Sequence, residues 1–113
     1  MSATIHVAGP IGKVIFIPAN QSESKTAILN VGVCSKAYRK GGVKTLWYQA
    51  CWTGEKAERL HRVMNKVVGI AVTGTEDFKI KHLPDKLLID RTIWVDNETI
   101  FWKEKAQLEM DFS

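Results

Sequence analysis

The sequence lacks the features that mark several classes of protein. No apolar run approaches the ~20 residues of a membrane-spanning helix, and the amino terminus has neither the basic start nor the apolar stretch of a signal peptide. Its two cysteines, Cys34 and Cys51, lie in apolar segments without a CxxC motif. We therefore expect a cytoplasmic protein, bacterial or encoded by a phage or plasmid, whose cysteines are reduced core residues rather than a disulfide or a metal site.

The sequence also contains little that would support catalysis. The three histidines, His6, His61 and His82, fall on different predicted elements, and none has an acidic residue placed beside it. There is no phosphate-binding loop, paired-carboxylate motif or nucleophile elbow. We predict a protein that is not an enzyme and needs no cofactor.

The 113 residues suffice for one domain with a single core. We place that domain at residues 1–102 and treat residues 103–113 as a short charged tail. The net charge of +4 is mildly basic. Such a charge fits a polyanionic partner, although many other domains are equally basic.

Strand patterns dominate the chain. Short apolar or alternating segments are separated by glycine, proline and polar turns, and Gly32 inside one segment predicts a bulge or bend of the kind that closes a barrel. Asp96 and Asn97 predict a turn, after which the last segment pairs back as a hairpin. The predicted strands are residues 4–8, 13–17, 26–34, 45–53, 67–73, 76–82, 87–95 and 99–102.

One helix is predicted, over residues 54–66, from apolar residues at helical spacing. Thr53 is expected to cap its start. Two ion pairs are expected at a spacing of four residues, Glu55 with Arg59 and Glu58 with Arg62. Three strands, a helix, a strand, a protruding hairpin and a final strand follow the order of a five-stranded OB-fold barrel, so we predict this all-β fold.

Five segments, in order, resemble those of the bacterial-type single-stranded DNA-binding proteins. Thr45-Leu-Trp-Tyr-Gln49 is similar to the family's Thr-Glu-Trp signature, and Gly54-Glu-Lys-Ala-Glu58 to its helix start. The resemblance covers most of residues 4–95 and implies an OB fold, oligomers of usually four domains, and sequence-tolerant binding of single-stranded DNA without catalysis. The other three segments are Ile5-His-Val-Ala-Gly-Pro-Ile-Gly12, Leu29-Asn-Val-Gly-Val-Cys-Ser-Lys-Ala-Tyr-Arg39 and Val72-Thr-Gly74.

The chain departs from the family pattern at three places. Thr53 stands where the family has a stacking phenylalanine, and Leu46 stands where it has an acidic residue. The family's long linker with an acidic tip has no counterpart here, so the sequence does not predict recruitment of partner proteins through such a tip.

The resemblance assigns DNA contacts to particular residues. Alternation along residues 45–53 puts Trp47 and Trp52 on opposite faces, with Trp47 on the DNA side and Trp52 in the core or a subunit interface. Trp94 is expected in the core, and Trp102 at an edge strand or a dimer contact. The expected stacking residues are Tyr38, Trp47 and Phe78, with Phe78 equally compatible with a structural role. The expected phosphate contacts are Lys13, Lys36, Arg39, Lys40, Lys44, Lys79 and Lys81.

Alternatives to this interpretation stay open. A replication-restart or primosomal adaptor with an OB fold would bind single strands weakly and chiefly recruit proteins. A protein-interaction module could have kept the barrel and lost DNA binding, as the missing ring at Thr53 would suggest. RNA is also a possible partner, since stacking and phosphate contacts serve both polymers. A dimer and a tetramer are equally compatible with the sequence.

Overall fold

The computed structural model describes residues 3–39 and 42–103, with only the backbone described for residues 36–39, 43 and 44. The chain forms five strands and one α-helix. Single 3₁₀ turns at Ala19–Gln21 and Met64–Lys66 flank these elements. The elements are β1 (Ala3–Ile17), β2 (Ile28–Arg39), β3 (Gly42–Thr53), α1 (Glu55–Val63), β4 (Val67–His82) and β5 (Leu87–Trp102).

The strands close into a barrel in the order β1-β2-β3-β5-β4, with β4 returning to β1. All neighbouring pairs are antiparallel except β3 and β5, which run parallel. Within the described residues, three pairs make that parallel seam: Gln49 with Thr92, Ala50 with Ile93 and Cys51 with Trp94. A closed five-stranded barrel with one helix between β3 and β4 is the OB fold, as predicted.

The barrel is filled by the inward-facing residues of every strand. Alternation along β3 and β5 sends Ala50, Trp52 and Ile93 inward, and Trp52 is only 3% exposed, so its predicted burial is confirmed. Cys34 and Cys51 are buried free thiols, as expected. The largest fully buried side chains are Leu29, Val31, Val33, Ile70, Val72 and Ile93.

The prediction that Trp94 is a core residue is wrong. Its neighbour Ile93 is fully buried, so Trp94 faces outward, and its side chain is 47% exposed. The segment from Leu87 to Val95 carries apolar residues at both odd and even positions. Alternation alone therefore could not tell which set faces the core.

Strand β1 runs on through the glycines and proline that were expected to interrupt it. Pro10 pairs with Gly69 of β4 inside the ladder. The predicted irregularity near Gly32 lies on the opposite strand, because Gly12 and Lys13 of β1 together face Gly32 of β2. This bulge bends β1 at the point where the Trp47 side chain of β3 approaches Gly12.

The turn predicted at Asp96 and Asn97 is wrong, because β5 continues through these residues. Thr73 pairs with Asn97 and Gly74 with Val95, which leaves Asp96 as the extra residue of a β-bulge. A Cβ on Gly74 would overlap the carbonyl oxygen of Trp94, so only glycine permits this approach of the two strands.

Helix α1 spans nine residues, and its continuation through Lys66 is a 3₁₀ turn rather than the predicted α-helix. Thr53 does not cap it. Gly54 occupies the N-cap position with a φ of 73°, and its backbone N–H donates to the carbonyl of Ala27 at 2.9 Å. Among the described residues, no helix is long and apolar enough to cross a membrane.

The predicted ion pairs along α1 do not form in the described part of the chain. The helix is tied to the barrel by other contacts. Lys56 Nζ lies 2.7 Å from Glu98 Oε1 of β5, and the ring of His61 stacks on that of Phe16 with centroids 4.0 Å apart. Long-range contacts thus replaced the local pairs that sequence spacing indicated.

The predicted protruding hairpin is present as an extension of β4 and β5. Residues 76–82 pair with residues 87–93, and a backbone hydrogen bond from Leu83 to the carbonyl of Lys86 closes the turn. Most of its side chains are exposed. The division between a domain ending at residue 102 and a tail stays a prediction.

Candidate nucleic-acid interface

Trp47 lies on the outer face of β3, where its side chain is 55% exposed. The strand places it there because the residues on either side, Leu46 and Tyr48, face the interior side of the sheet. A large aromatic ring at the surface of a barrel is available to a partner, because it contributes little to the core.

The Trp47 ring rests on two glycines of neighbouring strands. A Cβ on Gly12 would lie 2.7 Å from Cζ3 of Trp47, and a Cβ on Gly32 would lie 3.7 Å from its Cε3. The missing side chains let the indole approach the backbone of the β1 bulge closely. The barrel backbone therefore supports part of the ring, while more than half of the side chain stays exposed.

A groove of about 420 Å³ runs from Trp47 to the base of the hairpin. We call it the Trp47 groove. Strands β1, β2 and β3 supply one wall, and β5 supplies the other. Its lining residues are Lys13, Gly32, Trp47, Tyr48, Gln49, Ile89, Asp90 and Arg91.

The Trp47 groove carries two cations and one anion. The guanidinium carbon of Arg91 lies 6.0 Å from the centroid of the Tyr48 ring, at the outer limit of a cation–π contact. Lys13 lies beside Trp47 on the bulge of β1. Asp90 faces the ammonium of Lys81, with Nζ and Oδ2 3.1 Å apart. Lys13 and Arg91 are therefore better placed to bind an anion than Lys81, because the carboxylate of Asp90 already pairs with Lys81.

The hairpin separates the residues predicted on it. Phe78 is 60% exposed and pairs across the strands with Arg91, so the two share one face. Lys79 pairs with Asp90, and Lys81 with Leu88, on the opposite face. Phe78 thus shares a face with Arg91, which contacts Tyr48, whereas Lys79 and Lys81 share a face with Asp90. Both faces of the hairpin therefore contribute a residue to the groove.

The remaining predicted residues lie at the far end of the β2–β3 ladder. Backbone pairing joins Lys36 to Thr45, Tyr38 to Val43, and Arg39 to Gly42. Lys44 pairs with Ala37 in the same ladder. Lys40 falls outside the described residues. This end of the ladder continues from the Cys34–Trp47 pair.

Arg91 and Tyr48 were missed as candidate site residues. Arg91 reaches the groove because Thr92 of β5 pairs with Gln49 of β3, which brings the preceding residue of β5 close to Tyr48. The hairpin register could have indicated Arg91, because Arg91 lies opposite Phe78, which was already a candidate stacking residue. Nothing local in the sequence indicated the β3–β5 pairing.

His6 and Cys51 lie outside the Trp47 groove. Nδ1 of His6 lies at hydrogen-bond distance, 2.8 Å, from Oγ1 of Thr73. Burial raises the pKa of the Cys51 thiol. A thiol held in its neutral form is a poor nucleophile.

No protein-family model matches the sequence, and a comparison with curated proteins finds no match. Among solved structures, the chain is similar to a small single-stranded DNA-binding protein from Streptomyces coelicolor. The TM-score is 0.60 at 10% sequence identity, over 95% of this chain and 98% of that chain. A second similar structure is a small single-stranded DNA binding protein from Mycoplasma pneumoniae. Its TM-score is 0.57 at 18% identity, over 89% of this chain and 93% of that chain. At these identities the likeness establishes a shared fold: this chain has the barrel found in small single-stranded DNA-binding proteins.

Proposed function

We propose that the protein binds and protects single-stranded DNA without strong sequence preference. The observation that carries this proposal is the exposed ring of Trp47, held on glycine backbone in a groove that also offers Lys13 and Arg91. Every base has a flat face that can stack on such a ring. The two solved proteins with this fold are described as binding single-stranded DNA, which supports the same activity here.

The contacts divide into stacking and electrostatic ones. Trp47 would contribute the central stack, at ~1–3 kcal/mol by truncation, and Tyr38 and Phe78 further stacks. We add Arg91 to the phosphate contacts and expect a smaller contribution from Lys81, because Asp90 already neutralises its charge. The other proposed phosphate contacts are Lys13, Lys36, Arg39, Lys40, Lys44 and Lys79.

We propose a cellular role on the same basis. A bound strand is protected from nucleases and from re-pairing during DNA replication, recombination or repair. We place the protein in the cytoplasm as a homodimer or homotetramer, since several domains on one strand gain affinity from effective concentration. It would need no catalytic group and no cofactor.

A second candidate is an adaptor of replication restart that recruits proteins and binds single strands weakly. The exposed apolar side chains of the hairpin favour it, because such patches mark interaction surfaces. They are Phe78, Ile80, Leu83, Leu87, Leu88 and Ile89.

The test is a titration of the protein with fluorescein-labelled oligo(dT) of increasing length, at two salt concentrations, with duplex DNA as the control. We expect tight binding above a threshold length, weakening with salt, and weak binding to the duplex. Trp47→Ala should reduce affinity, whereas Trp102→Ala, at a ring of similar exposure, should not. Absence of binding at low salt would contradict the proposal, and weak binding without a length threshold would favour the adaptor.

A further inference from the structure

A second groove, of about 210 Å³, opens beside Trp94 on the outer side of the β3–β5 seam. We propose that this Trp94 groove is a second base-stacking site, which extends the path of the strand held at Trp47; the inference rests on the proposed function. Its lining includes Cys51, Thr53, Lys56, Trp94 and Asp96.

Trp94 and Trp47 lie on the same side of the sheet. Trp47 and Cys51 are four residues apart on β3 and share a face, and Cys51 pairs with Trp94 on β5. The backbone positions of the two residues are thus about 13 Å apart along the strand and one spacing of ~4.8 Å across it. One OB fold covers roughly 4–16 nucleotides. A single bound DNA strand is therefore long enough to contact both tryptophans.

The two grooves are adjacent along β3. Gln49 lines the Trp47 groove and Cys51 lines the Trp94 groove, with one inward residue between them. Thr92 pairs with Gln49 and precedes Trp94 by two residues. A single strand of DNA that leaves Trp47 and runs along β3 therefore reaches Trp94 without crossing another element of the protein.

Trp94 also supplies a ring where the sequence lacks one. Thr53 stands at the position where the family resemblance implies a stacking aromatic, and Thr53 lines the Trp94 groove. Trp94 thus places an aromatic ring in the groove that Thr53 lines. The bulge at Asp96 and the close approach of Gly74 fix the backbone that presents it.

The charges of the Trp94 groove select a base rather than a phosphate. Lys56 is engaged by Glu98 at 2.7 Å, and Asp96 adds a negative charge to the lining. A phosphate would be repelled by Asp96 and would find no unengaged cation among these residues. Stacking at Trp94 should therefore add affinity without adding salt dependence, in contrast to the Trp47 groove with Lys13 and Arg91.

The experiment compares Trp94→Ala with Trp102→Ala, a control whose ring is 48% exposed against 47% for Trp94. Anisotropy of fluorescein-labelled oligo(dT) reports affinity independently of the tryptophans. We expect Trp94→Ala to weaken binding of long oligomers about tenfold, leave the shortest bound oligomers unaffected, and preserve the slope of log affinity against log salt. Trp94→Phe should restore most of the affinity, and circular dichroism should show that the variants are folded.

Photo-cross-linking gives a second measurement that does not depend on a variant folding. Oligo(dT) carrying 5-iododeoxyuridine should cross-link to the wild-type chain at Trp94 and not at Trp102, which fragment sequencing of the tryptic peptide 92–103 distinguishes. Unchanged affinity in Trp94→Ala, or a changed oligomeric state without an affinity loss, would overturn the second site while the proposed function stands. Failure of the wild-type chain to bind would instead contradict the proposed function and this inference with it.

Discussion

The indole ring of Trp47 lies directly over Gly12, close enough that a Cβ on the glycine would stand 2.7 Å from Cζ3 of the ring. The bulge in β1 brings Gly12 to that place. A ring already supported by the barrel backbone loses less freedom on binding than a ring on a mobile loop, so preorganisation adds to affinity.

Replacing Gly12 with alanine should displace the Trp47 ring without unfolding the barrel. The obstacle is the far end of a side chain, so the ring moves and the backbone stays. We expect a loss of oligo(dT) affinity of about fivefold or more, up to the ~1–3 kcal/mol of a lost stack. Gly32→Ala is the matched control, because its Cβ would lie at ordinary contact distances of 3.4 to 3.7 Å. Equal affinities of the two variants would contradict the platform role of Gly12.

Replacing Asp90 with asparagine should strengthen binding. The substitution removes an anion from the Trp47 groove and releases Lys81 from its ion pair. For one additional phosphate contact, the slope of log affinity against log salt should steepen by ~0.7. Asp85→Asn removes the same charge at the hairpin turn. If both variants gained affinity equally, the effect would come from net charge rather than from the release of Lys81.

Adjacent residues of β5 should differ sharply in their effect on stability. Ile93 is fully buried in the core, so Ile93→Ala should lower the free energy of unfolding by ~2–5 kcal/mol. Trp94→Ala removes a half-exposed ring and should cost less. Urea denaturation followed by circular dichroism measures both. A larger loss for Trp94→Ala would place that ring in the core after all.

The Cys51 thiol should react slowly with alkylating reagents in the folded chain. Burial raises its pKa, so the folded state holds the proton at a pH where the unfolded chain has begun to lose it. This thiol therefore contributes stability that is present below the unfolded pKa and is lost as pH rises above it. In a Cys34→Ala background, the iodoacetamide rate at pH 8 should be far lower for the native chain than in urea. Similar rates would show that Cys51 is accessible.

The sequence was sufficient to predict the order of elements but not the closure of the barrel. Trp47 and Trp52 could be assigned to opposite faces because side chains alternate along residues 45–53. The resemblance to the family motif then indicated which of the two faces outward. Trp94 could not be assigned in this way, since its strand is apolar on both faces. The bulge at Asp96 looked like a turn because Asp-Asn is common in turns, and only its pairing with β4 shows otherwise. Arg91 entered the site through a parallel pairing between segments about 40 residues apart in sequence, which no local pattern encodes.

The three residue pairs of the β3–β5 seam are a short closure for a barrel whose other strand pairings are longer. Local opening should begin there, so its amide hydrogens should exchange with deuterium sooner than those of the β1–β4 ladder. A strand bound from Trp47 to Trp94 would lie along this seam and contact both of its sides. Binding would then slow exchange at Gln49 and Thr92 more than elsewhere, and the nucleic acid would act as a ligand that stabilises the closed form of the barrel against opening.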